Sequence, residues 1–113
     1  MVDAFATNTF QTRITEPRLQ QNIRKLLFIT QINLRACIKP DSRHNRFHRI
    51  FSSMEMDLTN MENSFDEDDR NFTYLRKLNN YVAYNLREGR TMKSLSTQQI
   101  EFLQRLQSDL EAI

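Results

Sequence analysis

A chain of 113 residues with one glycine, two prolines and one cysteine has little material for tight turns, β-bulges or an intrachain disulfide. Its net charge is only +2, and its longest apolar stretch, around Leu26 to Ile38, is interrupted by Thr30, Gln31, Asn33 and Arg35. Composition therefore argues against a membrane span and against a disulfide-stapled secreted fold. One domain of this size buries enough surface to hold a single core.

The charges fall in blocks. Residues 1–52 carry nine Arg/Lys against Asp3, Glu16 and Asp41, residues 53–69 carry seven acids and no base, and residues 70–113 carry seven bases against four acids. That alternation is a stronger signal than the total.

Residues 1–14 read as an extended N-terminal arm with Phe5, Phe10 and Ile14 as anchors, ahead of one helical domain over residues 15–113. Thr15 is a fair N-cap for a first helix over 16–38, with Glu16 and Pro17 in its opening turn. At 100° per residue, Leu19, Ile23, Leu26, Leu27, Leu34, Cys37 and Ile38 share a face with Thr30. Phe28, Ile29, Ile32 and Ala36 form a second apolar stripe opposite. A helix apolar on both sides is either central to the bundle or part of an interface; the arm or a partner then covers the second stripe.

Lys39-Pro40-Asp41 breaks the helix and caps the next, so short a link making the two antiparallel. The second helix, over 42–65, repeats Phe47, Ile50/Phe51, Met54, Leu58, Met61 and Phe65 on one face, with Met56 alone on the polar side. Asp66-Glu67-Asp68-Asp69 belongs in a loop, because four acids at a helix C-terminus oppose the macrodipole. The third helix, over 71–88, turns Tyr74, Leu75, Leu78, Tyr81, Val82 and Leu86 inward. Asn85 shares that stripe and needs a hydrogen-bond partner if buried, and Gly89 stands where a left-handed C′ residue is wanted. Ser96 and Gln99 form a capping box and Leu95 and Ile100 a hydrophobic staple for a last helix over 97–112, with Ile100, Leu103, Leu106 and Leu110 inward. The expected fold class is all-α: a compact four-helix bundle, two long antiparallel helices followed by two shorter ones, with the arm in front.

Catalytic chemistry is not indicated. His44 and His48 stand at a chelating i, i+4 spacing, but the run between them is Asn45-Arg46-Phe47, without the glutamate of a metalloprotease helix and with arginines beside it. Cys37 falls on the core stripe, where a thiol behaves as a small hydrophobe. The acids at 66–69 lack the spacing and central glycine of a calcium loop, and a chain with its only glycine at 89 has no phosphate-cradling loop. No cofactor, metal, small-molecule substrate or enzymatic activity is expected.

Two surfaces remain. Arg35, Lys39, Arg43, Arg46, His48 and Arg49 crowd around the first interhelical turn and suit an acidic partner or nucleic-acid phosphates. Phe28, Ile29, Ile32 and Met56 are the candidates for a protein interface. The leading expectation is a soluble, intracellular, non-catalytic regulatory or adaptor protein that docks on another macromolecule or on a second copy of itself, a profile that fits a small viral or phage accessory protein. Two other classes stand beside it: a nucleic-acid-binding protein using residues 35–49, and a structural subunit that self-assembles by pairing its basic and acidic blocks.

Overall fold

A computed structural model describes residues 16–38, 45–63 and 72–112. They form α1 (Glu16–Cys37), α2 (His48–Asn63) led in by a 3-10 turn over Asn45–Phe47, α3 (Phe72–Met92) and α4 (Thr97–Glu111). No strand occurs among the described residues. The side-chain pairs Arg24–Glu62 and Thr30–Met54 set α1 and α2 antiparallel. Tyr81–Asp57 and Asn85–Met54 do the same for α2 and α3, and the short link over 93–96 folds α4 back along α3.

The architecture is thus an up-down-up-down all-α bundle in which α1 touches all three other helices. This central position explains the breadth of its apolar surface. Leu19, Ile23, Leu26, Leu27, Ile29 and Cys37 are all buried, and they span an arc of about 160° at 100° per residue. Ile29, expected on an outer stripe, is only 3% exposed: it lies at the edge of that arc and belongs to the core. Phe28, one position away, points outward at 55% exposure, and Ile32 is partly buried.

Phe47, Phe51, Met54, Leu58 and Met61 of the second segment fill the interior, against Leu75, Leu78, Val82 and Leu86 of α3 and Leu103, Leu106 and Leu110 of α4. Two expected core residues are exposed instead: Ile38, one residue past the end of α1, and Ile50, whose neighbour Phe51 takes the inward position. The arm, Phe65, the acidic run 66–69 and the side chain of Tyr74 lie outside the described residues.

Where α1 crosses α3 the core turns polar. Thr30, Asn33 and Asn85 are fully buried there, yet all are paired. Asn33 Nδ2 donates to Asn85 Oδ1 at 2.8 Å and to the Asn85 carbonyl at 3.3 Å. Asn85 Nδ2 donates to Thr30 Oγ1 and to the Tyr81 carbonyl, both at 3.0 Å, with Met54 Sδ alongside at 3.2 Å. Thr30 Oγ1 donates to the Leu26 carbonyl, and Ser94 Oγ donates to Asn33 Oδ1. The sequence requirement that a buried Asn85 find partners is met through residues from three helices and the α3–α4 link.

The end of α3 differs from expectation. Gly89 is not its C′ residue but sits inside the helix, which continues to Met92. A Cβ at Gly89 would lie 2.5 Å from Leu95 Cδ1 and 3.4 Å from Asn33 Oδ1, so the missing side chain makes room for Leu95 and for the α1 crossing. Lys93 takes the left-handed conformation instead, with φ of 54°. Its N–H donates to the Arg90 carbonyl and that of Ser94 to the Gly89 carbonyl, the paired bonds of a Schellman ending. A left-handed lysine costs about 1 kcal/mol that glycine does not. Lys93→Gly is therefore expected to raise the unfolding free energy by about 1 kcal/mol, read from a higher denaturant midpoint at unchanged slope. The start of α4 is as expected: Ser96 accepts from the Gln99 N–H at 3.1 Å, Gln99 Oε1 accepts from the Ser96 N–H at 2.8 Å, and Leu95 and Ile100 pack partly buried against the core.

Candidate functional site

The residues expected to carry binding do not form one site: the basic ones gather at the C-terminal end of α1 and the start of α2, Phe28 and Ile29 lie midway along α1, and Met56 stands apart on α2. Arg35 stands in the last turn of α1, and Arg46, His48 and Arg49 in the first turns of the second segment; all four are exposed. Lys39, Arg43 and His44 lie outside the described residues. The structure adds a residue that the sequence order hides. Arg46 lays its guanidinium over the Phe47 ring at 4.7 Å, Phe47 meets Tyr84 edge-on at 6.3 Å, and Arg87 covers the Tyr84 ring at 5.3 Å. Two arginines from different helices thus bracket one aromatic pair, each in cation–π contact with a ring.

Behind this layer the chemistry is closed. Phe51 stacks on Tyr84 at 5.0 Å. Arg87 Nε donates to the buried Glu88 carboxylate at 2.8 Å. The Tyr84 hydroxyl is buried with no hydrogen-bond partner, and burial, reinforced by Glu88, pushes its phenol above the ordinary range. Cys37 is fully buried, its thiol donates to the Leu34 carbonyl at 3.2 Å, and burial pushes its thiol pKa up. That is the setting of an inert thiol rather than a nucleophile. No cluster of three metal-ligating side chains occurs among the described residues.

The second region is a groove that sequence reasoning did not assemble. It runs between α1 and α4, where Arg18, Gln21, Asn22, Lys25 and Phe28 of the first helix face Gln98, Phe102, Arg105 and Asp109 of the last. These positions recur every three or four residues over about three turns, or roughly 15 Å. Long polar side chains on facing turns keep the two helices apart. A wide opening of about 650 Å³ lies at the Phe28 end and one of about 370 Å³ at the Arg18 end, and Lys25, Phe102 and Arg105 line both. Phe28 and Phe102 are its aromatic surfaces, with buried Ile29 reaching its floor. Lys25 Nζ sits 5.3 Å from the Phe102 ring centroid, and Arg24 is tied to Glu62 of α2. The lining holds four bases, Arg18, Arg24, Lys25 and Arg105, against Glu101 and Asp109. Phe102 lies at the edge of its helix's apolar stripe and Lys25 on the flank of α1; neither position reveals the other, because helix pairing is absent from one-dimensional periodicity. Met56 is 67% exposed on α2 and does not join the groove.

Where α3 packs on α2, Tyr81 donates its hydroxyl to Asp57 Oδ2 at 2.5 Å, and Lys77 pairs with the same carboxylate at 3.3 Å. Burial first, then the hydrogen bond and the negative charge of Asp57, hold the Tyr81 phenol well above its ordinary value of 10.0. In the unfolded chain that proton leaves near the ordinary value; in the native protein it stays. The folded state therefore gains stability from Tyr81 at all pH below about 10, and loses it as pH climbs further. Tyr81→Phe is expected to flatten the alkaline fall of the unfolding free energy above about pH 10, with Tyr84 and Cys37 supplying the slope that remains. An unchanged alkaline profile in chemical denaturation would rule out this assignment.

Compared with known families, with curated proteins and with solved structures, the chain matches none. No described helix is long and apolar enough to cross a membrane. The described residues define an all-α helical bundle with an open groove between α1 and α4 and an arginine-flanked end.

Proposed function

We propose that this protein is a non-catalytic binding module, a small regulatory or adaptor protein whose α1–α4 groove receives an amphipathic helix from a protein partner. The observation that carries the reading is the exposed Phe28 at the wide end of a three-turn groove whose lining is net basic. A helix docked there would place apolar side chains at i, i+3 and i+7 against Phe28, Ile29 and Phe102, in the way helical peptides occupy apolar grooves elsewhere. Its flanking positions would carry acids facing Arg18, Lys25 and Arg105. Acidic residues are favoured there by charge complementarity, which also speeds encounter.

A displayed library of helical peptides, selected against the intact protein, tests this directly. Enriched peptides are expected to combine an apolar stripe with flanking acids, and to lose at least tenfold in affinity on Phe28→Asp. Phe28 is exposed, so this variant keeps the fold; an unchanged circular dichroism melt verifies it. Failure to enrich any binder, or binders indifferent to Phe28→Asp, would overturn the reading. Self-association through the same stripe is a separate outcome: light scattering would then show a dimer that Phe28→Asp combined with Ile32→Asp converts to a folded monomer, and the groove's occupant would be a second copy rather than another protein.

A further inference from the structure

We infer that the arginine-flanked end is a second, independent binding surface, and that its ligand is the phosphodiester backbone of a double-stranded nucleic acid, read without regard to sequence. Its residues come from three helices at one end of the bundle. Arg46 stands in the 3-10 turn and Arg49 in the first turn of α2, Arg35 is in the last turn of α1, and Arg87 reaches in from α3 with Arg90 one turn beyond. All five are exposed. Arg35, Arg46, Arg49 and Arg90 make no ion pair among the described residues.

Three features select this ligand. First, there is no acid in the opening turn of α2, so cations crowd a helix end that already carries partial positive charge. In the free protein that arrangement is unfavourable, and an anion relieves it. Second, the guanidiniums of Arg46 and Arg87 sit over aromatic rings that hold them at the surface; Arg87 gives its Nε–H to Glu88, while Arg46 keeps its N–H groups for forking onto phosphate oxygens. Third, the rings themselves are spent. Phe47 is buried and Tyr84 is enclosed by Phe47, Phe51 and Arg87. A single strand is gripped by stacking its bases on exposed aromatics, and this surface offers none. What remains is a cationic band that meets regularly spaced charges, which a duplex backbone supplies. The charge along α2 orients the contact, since Glu55 follows the arginines toward the other end.

The test is a salt titration of fluorescent 20-base-pair DNA and RNA duplexes of two unrelated sequences, with the matching single strands and a poly-glutamate peptide as comparators. The full-length protein is expected to bind both sequences of a duplex alike, and more tightly than either single strand. The logarithm of the association constant should fall linearly with the logarithm of salt, with a slope near −4 for about four to five phosphates neutralised. Arg46→Gln and Arg49→Gln should each reduce that slope by about one, which at 0.1 M salt is roughly a tenfold loss of affinity. Lys77→Gln removes the same charge from the distant part of α3 and should leave the slope unchanged. The DNA and RNA arms identify which duplex is preferred. Absence of duplex binding at 50 mM salt, preference for single strands or for poly-glutamate, or a slope indifferent to Arg46→Gln and Arg49→Gln would each overturn the inference. Its failure leaves the groove reading untouched, because Phe28 enters none of these measurements.

Discussion

Replacing Asn85 with leucine is expected to lower the unfolding free energy by about 3 kcal/mol, although the two side chains are close in size and leucine is the more apolar. The cost comes from what Asn85 leaves behind. Asn33 Nδ2 loses its best acceptor, at 2.8 Å, and Thr30 Oγ1 loses the donor that satisfied it at 3.0 Å. Both groups are fully buried; Asn33 Nδ2 keeps only its longer bond to the residue-85 carbonyl, and water cannot replace the lost bonds without opening the α1–α3 contact. A buried group left unsatisfied costs about 1–3 kcal/mol, and a connected network amplifies the loss. The double replacement Asn33→Leu with Asn85→Leu is expected to cost less than the sum of the two single changes, because it removes donor and acceptor together. Urea unfolding of the four-member cycle measures this. A cost below 1 kcal/mol for Asn85→Leu, or strict additivity, would show that the network contributes little.

Phe51→Ala is expected to be more damaging still, at about 4 kcal/mol. Phe51 is 0% exposed and its ring lies against Tyr84, so truncation removes a large apolar surface and opens a cavity between α2 and α3. The same change should disturb the arginine-flanked end, since Tyr84 is the ring on which Arg87 rests and against which Phe47 abuts. Single domains of this size have about 5–15 kcal/mol in hand, so the variant should remain folded near room temperature and melt far earlier. Its Tyr84 phenol should titrate closer to the ordinary tyrosine value, visible by ultraviolet absorbance. A midpoint shift of less than 1 kcal/mol would mean that the neighbours close the gap.

How much of this was legible beforehand follows from which interactions are local. The capping box at Ser96 was readable because all its partners lie within four residues. The inward face of α2 was readable from its period, except that Ile50 and Phe51 are adjacent and only one can face the core. The need of Asn85 for partners was readable from its place on an apolar stripe, though not their identity. Gly89 was misread because a glycine serves two unrelated needs, left-handed backbone and absent side chain, that look alike in a sequence. Here Lys93 meets the first and Gly89 the second. Ile29 was assigned outward because periodicity gives the direction of a stripe but not how wide an arc the neighbouring helices cover. The groove depends on α1 and α4 lying side by side, some seventy residues apart in the chain, and Arg87 joins Arg46 only through the packing of α3 on α2.

The amide cluster at the α1–α3 crossing has a mechanical implication. Sliding one helix past the other by a single turn would leave Thr30, Asn33 and Asn85 facing aliphatic neighbours, so intermediate registers are forbidden and the two helices behave as a welded pair. A welded pair transmits no piston-like stroke along its axis. If the two surfaces bind as proposed, occupancy of the groove and of the arginine-flanked end should accordingly be additive in free energy, neither governing the other.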